Sequence, residues 1–88
     1  MKSIRSPDQR ELAKLLRRYR ETARPRPLTQ EELAEKLGFK DYRVVERIEL
    51  GDVEPAATFV RQWCKKCGRS SRELWLTWEK NCKRQSVP

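Results

Sequence analysis

Residues 28–51, LTQEELAEKLGFKDYRVVERIELG, constrain this chain more tightly than any other stretch. Thr29 followed by Glu32 is a capping box, in which the hydroxyl accepts from the Glu32 amide while the Glu32 carboxylate accepts from the Thr29 amide, so a helix is expected from Gln30. Leu33, Ala34 and Leu37 then form one narrow apolar stripe, and Gly38 supplies a left-handed residue that ends the helix. A second helix has to begin soon afterwards. Asp41 is the expected N-cap, Val44, Val45 and Ile48 form the inward face, and Gly51 with Pro55 stops the helix. Tyr42, Arg43, Glu46 and Arg47 are left facing outward.

Three further helices flank this pair. The signal Ser6-Pro7 with Gln9 opens a first helix whose buried positions are Leu12, Leu15, Leu16, Tyr19 and Ala23, with Arg and Lys opposite. After Pro55, the residues Ala57, Val60, Trp63, Cys64 and Cys67 form the stripe of a fourth helix closed by Gly68. Ser70 with Glu73 is a second capping box and opens a fifth helix with Leu74, Trp75, Trp78 and Cys82 on one face and Leu76 on the other. The expected architecture is all-α, one module over residues 1–88 with five helices at about 7–23, 30–37, 42–50, 56–67 and 71–84. The ends, 1–5 and 85–88, carry no periodic signal and are expected to be loose. Sustained two-residue alternation, hairpin dipeptides and internal repeats are all missing, which argues against strands and arrays.

At 88 residues, 36% of them hydrophobic and 39% charged, the chain has material for one small core. It contains no apolar run of membrane-spanning length and no apolar leader near its N-terminus, so no membrane role and a cytoplasmic location are expected.

The pattern of residues 28–34, Gly38, residues 45–51, Pro55 and Gly68 resembles the Xre-type family, the helix-turn-helix domains of phage repressors and Cro. The resemblance spans about Leu12 to Leu76. It implies a phage-repressor-like five-helix domain that binds double-stranded DNA as a transcriptional regulator, with the helix from about Asp41 to Leu50 in the major groove. It also implies that Gln30 bonds a phosphate or base edge and that Tyr42, Arg43, Glu46 and Arg47 face the bases. Lys40 and Arg61 complete the candidate DNA-binding set. The interval from Gly38 to Val45 is one residue longer than the commonest family spacing, which leaves Lys40, Asp41 and Tyr42 as alternatives for the start of the reading helix. Glu49 is expected to pair with Arg17 or Arg20, since a half-buried carboxylate needs a partner. Arg47 turned inward is an alternative to Arg47 at the bases.

Charge is uneven along the chain. Residues 1–28 hold nine Lys/Arg against three Asp/Glu, residues 29–55 four against eight, and residues 56–88 eight against two, with a net +8. The reading unit is therefore acidic and its flanks are basic. Affinity for a polyanion rests on neutralised phosphates, so it would have to come from Arg10, Lys14, Arg17, Arg18, Arg24 and Arg26 early in the chain and Arg61, Lys65, Arg69 and Arg72 late. The same cations on the first helix also suit the solvated face of an amphipathic helix.

Other chemistries find little support. Cys64-x-x-Cys67 with Cys82 offers three thiols, but a structural zinc site uses four ligands and the chain has no His. The cysteines fit buried free thiols, with redox, metal or disulfide roles as alternatives. No Gly-rich phosphate loop and no nucleophile with an adjacent base is present, so the expectation is a non-enzyme without cofactors, metals or a small-molecule substrate. Trp75 and Trp78 fit a cap on the core, or else a partner surface. A homodimer, formed on DNA or through the fifth helix, is the expected assembly. The competing function is a protein-interaction module with a repressor-like fold that no longer reads DNA, and its discriminating feature is the acidic centre with Glu46 on the reading face.

Overall fold

The computed structural model describes residues 7–86, with side chains from 9 to 82. Ser6, residues 1–5 and residues 87–88 lie outside the described residues, so the start signal at Ser6 and the loose ends do too, apart from residues 85 and 86. The described chain forms α1 (Pro7–Glu21), α2 (Gln30–Lys36), α3 (Arg43–Leu50), α4 (Ala57–Lys66) and α5 (Ser71–Ser86), with no strand among the described residues. The fold class is thus the all-α arrangement expected.

Burial supplies the reason these five segments close on one another. Leu16, Leu33, Val45, Val60, Trp63, Cys64, Cys67 and Leu74 are fully buried, so each helix contributes at least one side chain to a common core. Trp63 at its centre donates Nε1–H to the Leu16 carbonyl at 3.0 Å, which lets a large ring be buried without stranding its polar atom. An edge-to-face series, Phe39 on Phe59 at 5.9 Å and Phe59 on Trp63 at 6.3 Å, carries the core out to the α2–α3 turn. Trp75 and Trp78 meet edge to face at 5.5 Å and pack against the core from α5, as a cap should. Asn81 Nδ2 donates to Glu11 Oε2 at 2.6 Å and ties α5 to α1.

Local chemistry sets the helix ends. Thr29 Oγ1 accepts from the Glu32 amide at 3.0 Å and the Thr29 amide donates to Glu32 Oε1 at 2.9 Å, completing the capping box. Arg26 reaches the same carboxylate at 3.0 Å, and this bond, with the Thr29 amide, holds the Glu32 carboxyl below its ordinary range. Glycines at φ 93° (Gly38), 82° (Gly51) and 67° (Gly68) end α2, α3 and α4.

Four expectations are corrected. The first helix stops at Glu21, and Ala23 is buried beyond it because the chain turns there, its next amide, Arg24 N, donating to the Cys67 carbonyl at 2.9 Å. Asp41 does not occupy the N-cap of α3. Tyr42 does, without a side-chain bond, while Asp41 Oδ1 accepts from the Arg43 amide at 2.9 Å one residue earlier. Ala57 is exposed, not part of the α4 stripe, because it lies in the first turn of the helix and the buried face begins at Val60. The fifth helix runs on to Ser86, where a loose end from residue 85 was expected.

Burial pushes the Cys64 thiol up to about 11 and the Cys67 thiol up to about 12, from an ordinary value of 9.0. Both stay neutral at physiological pH, which leaves them poor nucleophiles there. Since the folded values are raised, the stability these thiols confer by staying neutral is complete below pH 9.0 and is lost as pH rises from there through about 11 and 12.

The two outer helix-ending glycines should respond differently to a methyl group. A Cβ on Gly38 meets nothing within 4 Å, whereas one on Gly68 would lie 2.7 Å from the Arg24 carbonyl oxygen. Gly38→Ala should cost about 1–2 kcal/mol from its left-handed backbone alone, and Gly68→Ala distinctly more, in urea denaturation. Equal losses would show that α4 does not end against Arg24.

Candidate nucleic-acid interface

α2 and α3 meet through a seven-residue and an eight-residue helix separated by the Gly38 turn, and a buried ion pair sets how they stand relative to α1. Arg20 of α1 forks onto Glu49 of α3, Nε to Oε2 at 2.6 Å and Nη2 to Oε1 at 3.0 Å. The side chains are 10% and 4% exposed, so the bond is shielded from water. Arg20 Nη1 also donates to the Leu28 carbonyl at 2.9 Å, and Gln30 Nε2 donates to Glu49 Oε1 at 3.0 Å. One carboxylate therefore joins α1, the start of α2 and α3. Of the two partners expected for Glu49, Arg20 is the one found, while Arg17 pairs with Glu21.

With Val45 and Ile48 anchored in the core, helical geometry turns Arg43, Glu46, Arg47 and Leu50 onto one arc of α3. Arg43 opens the helix, exposed, its Nε 3.4 Å from Asp41 Oδ2. Arg47 is exposed, so the inward alternative for it does not hold. Glu46 is half-buried. Tyr42, 39% exposed, stands where α3 begins. Leu50 is 62% exposed on the same arc, a position that the reading of α3 as an amphipathic helix passed over. The available signal was its spacing, four residues after Glu46 and seven after Arg43.

Two clefts flank this arc. The first, of about 540 Å³, lies between α1, the start of α2 and α3, and is lined by Arg17, Gln30, Tyr42, Glu46, Glu49 and Leu50 among others. Gln30 is the first residue of α2 and half-buried there, its amide engaged by Glu49. The second cleft, of about 490 Å³, runs beside the α2–α3 turn, with Ala34, Phe39 and Tyr42 as its apolar part and Glu31, Glu35, Lys40 and Asp41 around them. Lys40 thus sits on the turn beside the arc. Arg61 is exposed on α4 and lines neither cleft, so the structure separates it from the other candidates.

The flanking cations divide into two sets. Arg17, Arg20, Arg26 and Arg43 hold carboxylates, and Arg69 lies 4.1 Å over the Tyr19 ring with Nη1 bonded to Thr22 Oγ1, which makes it a brace between α1 and the end of α4. Arg10, Lys14, Arg18, Arg24, Lys65 and Arg72 are exposed. No group of three or more His, Cys, Asp or Glu suited to a metal occurs among the described residues, and no helix among them is long and apolar enough to cross a membrane.

Two short helices at a glycine turn, the second with an anchored apolar face and an open polar arc, define a helix-turn-helix protein. The chain belongs to the helix-turn-helix domain family, whose model matches residues 11–75, from α1 into α5. No curated protein and no solved structure gives a match. Family membership supports DNA as the partner.

The buried joint gives a direct test. Glu49→Ala would leave the Arg20 guanidinium buried without its anion and should cost about 3–5 kcal/mol in urea denaturation, whereas Arg20→Met with Glu49→Ala should cost less than Glu49→Ala alone. A single variant within about 0.5 kcal/mol of the parent would remove the pair from its anchoring role.

Proposed function

We propose that the chain is an Xre-type, phage-repressor-like regulator of transcription that binds double-stranded DNA sequence-specifically, acts in the cytoplasm and performs no catalysis. The observation that carries this reading is the arc of α3, held by the Arg20–Glu49–Gln30 joint and presenting Arg43, Glu46, Arg47 and Leu50 side by side. In the major groove an arginine can bond a guanine bidentately, a carboxylate accepts from a cytosine amino group, and an apolar side chain meets a thymine methyl. These are the roles assigned to Arg43 and Arg47, to Glu46 and to Leu50, with Tyr42 at the helix start. Gln30, Lys40 and Arg61 are assigned to the phosphate backbone, where contacts position the protein without reading sequence.

A second reading is favoured by one observation. The cleft beside the α2–α3 turn combines Phe39, 37% exposed, and Tyr42 with three carboxylates, Glu31, Glu35 and Asp41, against one cation, Lys40, a net acidic surface that suits a basic protein segment better than a phosphate. It supports a protein-interaction module on the same fold.

Titration of parent and variants on specific and random duplexes separates the two. Arg43→Ala should lose about 1–3 kcal/mol on the specific site and relax preference at one base pair, while Lys65→Ala should weaken all sequences alike. Equal losses for both variants on both duplexes would defeat base reading by Arg43. A parent chain without salt-dependent binding to any duplex would favour the protein-interaction reading.

One domain of this size covers a half-site, so the assembly assigned is a pair on a two-fold symmetric site, with α5 as the contact. Leu76, 59% exposed on α5 and off its core face, supports this. Leu76→Glu should leave the melting temperature within a few degrees of the parent and lower the cooperativity of a two-to-one complex seen by gel shift. A one-to-one complex on every palindromic site tested would overturn the pairing.

A further inference from the structure

α1 carries Arg10, Lys14, Arg17 and Glu21 at spacings of four, three and four, which stack along one exposed side of the helix. That side borders α3. Gln9 Nε2 donates to the Gly51 carbonyl at 2.9 Å, a Cβ on Gly51 would lie 3.8 Å from Arg10 Cγ, and two turns further on Arg17 lines the cleft with Gln30, Tyr42, Glu46 and Leu50. Arg18, about 100° further round the helix, is not part of that cleft.

Glu31, Glu46 and Glu49 also line this cleft, against two cations, Arg17 and Arg20. Arg20 is locked in its buried fork. Among the described residues Arg17 is held by Glu21, Nε to Oε2 at 3.0 Å, with the two side chains 63% and 50% exposed. An exposed pair of this kind is weak and exchanges readily. Glu21 would not be stranded by the exchange, because Arg20 Nη2 lies 3.9 Å from the same oxygen.

We propose that Arg17 exchanges Glu21 for a DNA phosphate when α3 enters the groove, making α1 a backbone clamp along one edge of the reading helix. The inference rests on the DNA-binding reading and adds a residue and a regulating partner to it. A guanidinium suits the task because its planar fork matches two phosphate oxygens, and its position at the rim offsets the repulsion between phosphate and Glu46. Glu21 then acts as an internal competitor of the phosphate, which weakens binding to every sequence equally.

The experiment is a salt series on a random-sequence duplex with the full chain, its variants checked for folding by circular dichroism melts. For the parent, log affinity should fall steeply with log salt. Arg17→Gln should reduce that slope by about 0.9, the loss of one phosphate, and Arg18→Gln by much less. Glu21→Gln should tighten binding about two- to fivefold, and the gain should vanish when Arg17→Gln is also present. Equal slope losses for Arg17→Gln and Arg18→Gln, or a Glu21→Gln gain that persists without Arg17, would reduce the effect to bulk charge and overturn the exchange. A parent that binds no duplex would instead overturn the DNA-binding reading itself.

Discussion

The carboxylate of Glu49 is the point on which the reading surface turns. It accepts from Arg20 on α1 through both oxygens and from Gln30 at the start of α2, while Arg20 also satisfies the Leu28 carbonyl that precedes α2. Apolar packing alone tolerates sliding of two short helices by part of a turn. A buried charge does not, because any displacement leaves an ion without its partner in a poorly solvating interior. No buried side-chain nitrogen or oxygen among the described residues lacks a hydrogen bond, so the joint is a completed network. Its contribution is therefore best understood as geometry, fixing the tilt of α3 against α1 and α2, while the core supplies the favourable energy.

The ends of the helices repeat this division of labour at smaller scale. Gln9 bonds the Gly51 carbonyl and so fastens the start of α1 to the end of α3, and Arg69 braces Thr22 and Tyr19 from just beyond α4. The Arg24 amide on the Cys67 carbonyl docks the loop after α1 against the same helix end. Each tie joins residues more than forty positions apart, and each uses a polar group to fasten two elements where they meet. α5 completes the enclosure of the core through buried Leu74 and the Trp75–Trp78 pair.

What could be read from the sequence was what neighbouring residues decide. The capping box at Thr29, the glycine stops at Gly38, Gly51 and Gly68, and the apolar periodicity of α1, α3 and α4 are local signals, and the structure contains them apart from Ala23, which lies beyond α1, and Ala57, which is exposed. The partner of Glu49 was legible as a pair of alternatives, because burial of a carboxylate demands a cation but does not choose between Arg17 and Arg20. Ala57 was misplaced since period alone assigns a face and not the depth at which the core begins. Asp41 was displaced by one residue since a side chain that accepts two positions ahead satisfies the same amide need from outside the helix. The ties made by Gln9, Phe39 and Arg69 had no signal, as their partners are distant in the chain. Leu50 was overlooked for the opposite reason: an apolar residue on a polar arc is ordinary in a helix, and becomes notable only once its neighbours are known to be the base-facing candidates.

The separation of charge between reading unit and frame has a physical consequence for recognition. A basic recognition helix gains affinity for any duplex, since phosphates are alike in every sequence. Here the α2–α3 unit is acidic and its own Arg43 pairs with Asp41, while the cations beside it include Arg20 and Arg26, which hold carboxylates, and others exposed on α1 and α4. Electrostatic attraction would then come from the frame, which steers and orients, while close approach of α3 is opposed by Glu46 unless that carboxylate finds a donor on a base edge. On the proposed function the mismatch penalty is thus built into the reading face: a wrong site leaves an acid against phosphate and water stripped from Arg43 without return, and discrimination comes as much from repulsion at wrong sites as from bonds at right ones.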